Sequence, residues 1–439
     1  MTVLQRIREL EQSIGVLGAV KLGNACLILI WGFGLTFVFA RALDNIEFQN
    51  FVLLIALSNF TISAEFGFTN IIYNRLRRWR LHAGGQFSFT EISAVLAAII
   101  TLIVLAVCAL ALCFVVGIIV TQLPLLFLSF FIVSCLNIAV LLCKRVLAAL
   151  DRNLLFEFTD ICRRVVSLVV LFAVLLGLDL GFSVLILLVV TLASLGIWCV
   201  IIHRVLKLRM AHWTSIAKGI GIIRTRYLRD IRASILFTLA DVGANNMPFL
   251  VIAFLTDDLR PLLLYDFAYK LMRVMGIVMR AIIESYLPRI TAALHSGSIL
   301  LVRRAFLHCL AGGVIPGLGV SLLLLCWGHQ LAQFLYHGKM DVTVLDLTLL
   351  SLVMLALPVN ALSIYVNCAI GRFGTLLKAS MPYLIGATFS APIAMVATWG
   401  HDAWAETFLS IFTIVYLLAM LLHLWLLKSL VTGEWEQTI

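Results

Sequence analysis

Charge is scarce in this sequence: Asp, Glu, Lys and Arg make up 12% of the 439 residues, while 63% are hydrophobic. A soluble domain is about half apolar and about one quarter charged. No water-soluble fold of this length could hide so much apolar surface, and the mean hydropathy of +1.10 agrees. The chain is therefore read as an integral membrane protein.

Other absences narrow the function. None of the ten cysteines falls in a C-x-x-C pair, and the nine histidines show no H-E-x-x-H spacing. A free cysteine in an apolar segment behaves as a small hydrophobe. No G-x-x-x-x-G-K-[ST] loop is present, which argues against direct use of ATP. The sequence thus predicts no catalytic residue, no metal ligand and no cofactor. The net charge of +10 would point to nucleic acid in a soluble protein. In a membrane protein the placement of charge matters more than its sum, so nucleic acid is not an expected partner.

Long apolar runs are what the sequence has in abundance. A run of about 20 such residues marks a spanning helix. Twelve are expected, near 16–40, 48–73, 92–120, 123–143, 157–177, 182–203, 230–254, 262–286, 305–327, 345–369, 378–399 and 404–428. The first follows a polar start, "MTVLQRIRELE", and is longer than the roughly 7–15 apolar residues of a signal peptide; it is expected to be retained. Cations cluster at alternate ends of these runs. The other set of loops carries only Arg41, Arg260 and Lys339. By the positive-inside rule both termini are expected in the cytoplasm.

The longest connection, about 203–229, is basic and lies near mid-chain. It is read as the link between two six-helix lobes, 1–212 and 213–439. A weak echo supports duplication: "VFARALDNIEFQNFVLLIAL" after the first helix resembles "VIAFLTDDLRPLLLYDFAYKL" after the seventh. The expected architecture is all-α and polytopic, with about 12 transmembrane helices in two pseudo-symmetric lobes around a central cavity. Such duplication is the usual build of transporters.

The charges inside the spans are the chemical signal. The eighth helix, "YDFAYKLMRVMGIVMRAIIESY", carries Asp266, Lys270, Arg273, Arg280 and Glu284 at spacings that place all five on one face. Each central charge costs about 2.5–3.5 kcal/mol on insertion scales, so the stripe cannot face lipid. Asp266–Lys270 and Arg280–Glu284 are i,i+4 pairs. Arg273 has no carboxylate at helical spacing. Elsewhere, Lys21 and Asn24 share a face of the first helix, Glu65 lies on the second, Asp160 and Arg164 pair on the fifth, and Asp241 and Asn245 lie on the seventh. Counted over the spans, cations exceed acids by two. Arg and Lys bind phosphate oxygens strongly, so a net-cationic wet cavity suits an anionic headgroup.

Three stretches, "TFVFARALDNIEFQNFVLLIALSNFTISAEFGFTNIIYNRLRRWR", "RVLAALDRNLLFEFTDICRRVVSL" and "LYDFAYKLMRVMGIVMRAIIESYLPRI", resemble the polysaccharide-transport branch of the multidrug/oligosaccharidyl-lipid/polysaccharide exporter superfamily. That branch includes O-antigen and exopolysaccharide flippases. Asp44 stands where the family often has glycine, and "FQNF" replaces its usual glycine-tyrosine. The resemblance implies lobes that rock between inward-open and outward-open states in a bacterial inner membrane. It also implies, as cargo, a lipid-diphosphate-linked oligosaccharide carried to the periplasmic leaflet, with polysaccharide polymerase and glycosyltransferases as partners.

On this reading the diphosphate meets Arg273 and Lys270, with Lys21 across the cavity, and Asn24 beside it. The sugars meet Tyr265, Tyr269 and Asn245. Glu65 and Asp241 are candidates for ion coupling, while Asp160–Arg164 and Arg280–Glu284 are lobe ion pairs. A multidrug exporter of the same fold is the alternative. A polymerase or ligase ranks below it, because the external loops carry so little charge.

Overall fold

The computed structural model describes residues 14–432 except 64–67, 81–86, 210–211, 213–219, 222–227, 257, 296–298, 371 and 399–402. The described residues form α-helices and one short 3-10 turn, with no strand. In chain order the helices are α1 (Ile14–Ala42), α2 (Asn45–Ser63), α3 (Phe68–Arg80), α4 (Thr90–Val116), α5 (Pro124–Ala149), α6 (Asn153–Ala173) and α7 (Leu180–Leu206). They continue with α8 (Leu228–Leu255), α9 (Leu259–His295), α10 (Ile299–Tyr336), α11 (Val344–Ala369), α12 (Phe373–Ala397) and α13 (Trp404–Val431). The chain divides into two compact units, Met1–Ile235 and Leu236–Ile439.

Nine of the described helices are long and apolar enough to cross a membrane on length and composition alone. The other three expected spans correspond to α2, α6 and α9. Of these, α6 and α9 carry the charged residues that the sequence singled out, and such residues lower hydropathy without shortening the helix. The protein is a multi-pass membrane protein with about twelve spans.

Three of the expected spans differ most in the structure. The span placed at 48–73 is described as two helices, α2 and α3, on either side of 64–67. The helices expected at 262–286 and 305–327 extend to 37 and 38 residues, or roughly 55 Å each at 1.5 Å per residue. Hydropathy marks only the stretch that meets hydrocarbon, about 30 Å thick. The polar, helix-forming ends beyond it carry no apolar signal.

Within each unit the packing follows one order. In the first unit α5 is the hub, touching α2, α3, α4 and α7, while α6 packs on α7. In the second, α11 is the hub, touching α9, α10 and α13, while α12 packs on α13. Taking α2 with α3 as one span, the fourth span of each unit is central and its fifth leans on its sixth.

Small residues set the close approaches. Along α10, Gly313, Gly317, Ser321 and Gly328 are buried on one face. A Cβ on Gly317 would lie 3.3 Å from the Met354 carbonyl oxygen of α11. Ser321 and Ser351 each donate to the other's backbone carbonyl, at 3.2 and 3.4 Å. In lipid, where helices gain little from hydrophobic burial against each other, such close packing and interhelical hydrogen bonding hold a bundle.

Arg260, one of the few cations expected on the external side, joins three helix starts of the second unit. Its guanidinium lies 2.6 Å from Glu406 at the head of α13 and 3.5 Å from the buried Asp346 at the head of α11. Asp346 also closes a capping box with Thr343. Partial burial works against the charge on Arg260, but Glu406, Asp346 and Asp341 outweigh it and raise its pKa further. Replacing Arg260 with alanine strips the buried Asp346 of its cation. A stability loss of about 1–2 kcal/mol is expected, read as a lower melting temperature of the detergent-solubilised protein. An unchanged melting temperature would count against the clasp.

Candidate functional site

The polar stripe of α9 changes character along its length. From Pro261 to Ala268 every residue is buried, where α10, α11 and α13 pack around the helix. Asp266, 1% exposed, accepts from Lys270 one turn on and from the Tyr336 hydroxyl of α10 at 2.7 Å. The Lys270 ammonium also lies 5.8 Å from the Tyr336 ring centre. The expected Asp266–Lys270 pair thus forms, and it fastens α9 to α10. Lys270 is already neutralised before any ligand arrives.

Arg273 stands apart. It is exposed on the second unit, and among the described residues no carboxylate lies within ion-pair distance of it. Arg280 is exposed two turns further on. Its expected partner Glu284 has a side chain outside the described residues. The stripe therefore runs from a packed anchor at Asp266 to the exposed side chains of Arg273 and Arg280.

Beside Arg273 lies a polar and aromatic surface of the same unit. Tyr269 is half-buried and within electrostatic reach of both Arg273 and Asp241. Asp241 of α8 is half-buried, with no hydrogen bond or ion pair on its carboxylate among the described residues. The groups around it are Tyr269 of α9, Cys368 of α11, Tyr383 of α12 and Tyr416 of α13. Asn245, one turn along α8 from Asp241, donates to the Asp241 carbonyl at 2.8 Å. Its Oδ1 accepts from Tyr383 at 3.5 Å.

Tyr265, expected to meet sugars, is instead buried. Its hydroxyl donates to the Asn245 carbonyl at 2.9 Å, and its ring packs edge-on against Phe249, Phe408 and Phe412. It shapes the surface from behind.

The first unit holds a different cluster. Asp160 receives Arg163 through Nε at 2.9 Å and Nη2 at 2.7 Å, and Arg164 through Nε at 2.8 Å. Asn24 of α1 is 2% exposed, and its amide donates to Asp160 at 3.0 Å and to Glu157 at 2.6 Å. The other Glu157 oxygen meets Lys144 of α5 at 3.0 Å. Here the expected Asp160–Arg164 pair is part of a larger network tying α1, α5 and α6. Asn24, grouped with the substrate residues on sequence, has its amide committed to that network. Lys21, one turn earlier on α1, is exposed. Glu65 lies outside the described residues.

Sequence reasoning missed Arg163, Lys144 and Glu157 as network members, and Tyr336, Tyr383 and Tyr416 altogether. The Lys144–Glu157 pair had a signal, since the short turn between α5 and α6 folds these positions side by side. The tyrosines had none, because they come from three distant helices that only the fold assembles.

No family model matches this chain, and no curated protein matches its sequence. Solved structures do match its fold. A multidrug resistance MATE family transporter of the MOP superfamily, in an inward-facing conformation, aligns with a TM-score of 0.64 at 12% identity, over 96% of this chain and 97% of that one. The eukaryotic MATE transporter AtDTX14 aligns at 0.60 and 12%, over 96% and 97%. A mutant of the Vibrio cholerae MATE transporter VcmN aligns at 0.58 and 14%, over 96% and 98%. The chain has the MATE-type fold.

Proposed function

We propose that this chain is a membrane transporter, not an enzyme, that works by alternating access. Its cargo on this reading is a lipid-diphosphate-linked oligosaccharide, flipped from the cytoplasmic to the periplasmic leaflet of a bacterial inner membrane during surface polysaccharide synthesis. Both termini lie in the cytoplasm, and the polymerase and glycosyltransferases of the same route are its partners. The observation that carries the reading is Arg273: an exposed guanidinium on a spanning helix, with no carboxylate partner among the described residues. An uncompensated cation in a membrane segment marks a substrate pathway rather than a packing contact, and a guanidinium binds phosphate through two parallel hydrogen bonds.

Tyr269, Tyr383 and Asn245 beside it offer hydroxyl and amide groups to sugars. Lys270, held by Asp266, adds field more than contact. Lys21 is a further exposed cation available to an anionic cargo. Asp241 serves as the coupling group, binding a proton or sodium ion; Glu65 is the second candidate.

The test is surface polysaccharide in the native strain with Arg273→Ala and Arg273→Lys, at matched membrane protein level. A charge-assisted hydrogen bond is worth about 1.5–3 kcal/mol, so alanine is expected to cut export about tenfold or more. Lysine, with one point charge in place of a fork, should restore part of it. Normal export by both variants defeats the phosphate contact.

A second reading is a multidrug antiporter, since one structural neighbour is named a multidrug resistance transporter. It is favoured by Asp241, since a carboxylate without a cation partner suits a cationic drug. Resistance to cationic dyes that is lost in Asp241→Asn and retained in Arg273→Ala would select it.

A further inference from the structure

The core of the second unit contains buried polar groups that the cargo surface does not use. On α11, Asn360, Ser363 and Asn367 share one face and are all buried, Ser363 and Asn367 completely. On α13, Thr413, Tyr416 and His423 share the facing side and are buried too. The two rows meet at successive levels. The Asn360 amide lies beside the Tyr416 hydroxyl. One turn on, the His423 Nδ1 lies 3.0 Å from the Ser363 hydroxyl. Asn367 then donates to the Ser363 carbonyl at 2.9 Å.

This row is under-satisfied in a regular way. Asn360 Oδ1, Asn367 Oδ1 and Thr413 Oγ1 are buried without a hydrogen-bond partner, and so is Nη1 of Arg372 at the α11–α12 turn. A buried polar atom left alone costs about 1–3 kcal/mol. Orphans of this kind, gathered in one polar core, call for bound water as partner. The upper end of the row adjoins Asp241 through Tyr416, whose ring meets Tyr383 edge-on at 5.4 Å, and Tyr383 in turn holds Asn245, one turn from Asp241. The lower end reaches Arg372, at the end expected to face the cytoplasm. Among the described residues no charged side chain pairs with His423, so its ring can take and release a proton without breaking an ion pair.

We propose that this row is a hydrated proton path, internal to the second unit, linking Asp241 to the cytoplasmic end through Tyr416, Asn360, Ser363, His423 and Asn367. It rests on the reading of Asp241 as the coupling group. His423 is the one member able to hold a proton: it accepts at one ring nitrogen and releases from the other as Ser363 and adjoining water turn. The Tyr416 and Ser363 hydroxyls pass protons through bound water, and the Asn360 and Asn367 amides hold that water in place. Chains of acidic, imidazole and hydroxyl groups inside spanning helices are the chemistry of proton relays. The path would let Asp241 exchange protons with the cytoplasm while its other side attends to cargo.

The experiment uses full-length protein in phosphatidylethanolamine/phosphatidylglycerol vesicles, sorted for outward display of a C-terminal tag. A pH jump is applied outside, and the carboxyl infrared band that disappears in Asp241→Asn is followed in time. In His423→Gln, which keeps a partner for Ser363 but cannot carry a proton, the band is expected to respond about tenfold more slowly or worse, with its equilibrium titration unchanged. Ser363→Ala and Asn367→Leu should slow it as well, and they serve if His423→Gln does not fold. An unaltered rate in the folded variants overturns the path. If Asp241→Asn removes no titrating band, the coupling role of Asp241 fails instead, and the two failures are told apart.

Discussion

Asp160→Ala is expected to destabilise the first unit by about 3–5 kcal/mol, the usual cost of removing one partner from a buried ion network. The carboxylate is 1% exposed and holds both Arg163, 8% exposed, and Arg164. It also receives the Asn24 amide. Without it, two guanidinium groups lie side by side within the unit, with only Glu157 among the described residues left to offset them. The loss is local to α1, α5 and α6, so its signature is early melting and aggregation of the solubilised protein. Asp160→Asn keeps acceptor geometry while losing the charge, and it should fall between alanine and native. A melting curve for Asp160→Ala that overlays the native one would remove the network from the account of this unit.

Gly386→Leu is the second large effect. Gly386 of α12 faces Val415 of α13. A Cβ at that position would lie 2.5 and 2.9 Å from the two Val415 methyl carbons and 3.3 Å from its Cβ. Valine is stiff about χ1 and its Cβ is fixed to the backbone, so the helices themselves must separate. Overpacking of this kind costs about 1–3 kcal/mol, occasionally more. Even alanine should register. Gly196→Ala on α7 is the control: nothing lies within 4 Å of the added carbon, and a helix gains up to about 1 kcal/mol from alanine over glycine. Thermal stability by size-exclusion should fall for Gly386 and hold or rise for Gly196. Equal behaviour of the two would show that the α12–α13 approach is not close.

Legibility followed the physics of each signal. Apolar length is local and additive, so the spans were readable, apart from the extra length of α9 and α10 beyond the hydrocarbon. Pairs at i,i+4 are fixed by helix geometry alone, so Asp160–Arg164 and Asp266–Lys270 were readable too. Burial was not. The stripe of α9 looked like one surface, yet Asp266 is packed among three helices while Arg273 is open, because neighbours cover only the first half of that face. Asn24 and Lys21 are one turn apart, and the fold buries one and exposes the other.

By itself the sequence determined a helical, many-times-spanning membrane chain with too many ionised groups for lipid, since transfer free energy depends on composition and charge spacing along one helix. Tertiary structure decided which of those groups neutralise each other and which stay available, a matter of what distant helices bring alongside. Tyr336 and Asp266 turn Lys270 into an anchor, Glu157 and Asp160 claim Asn24, and Arg273 meets no acid among the described residues.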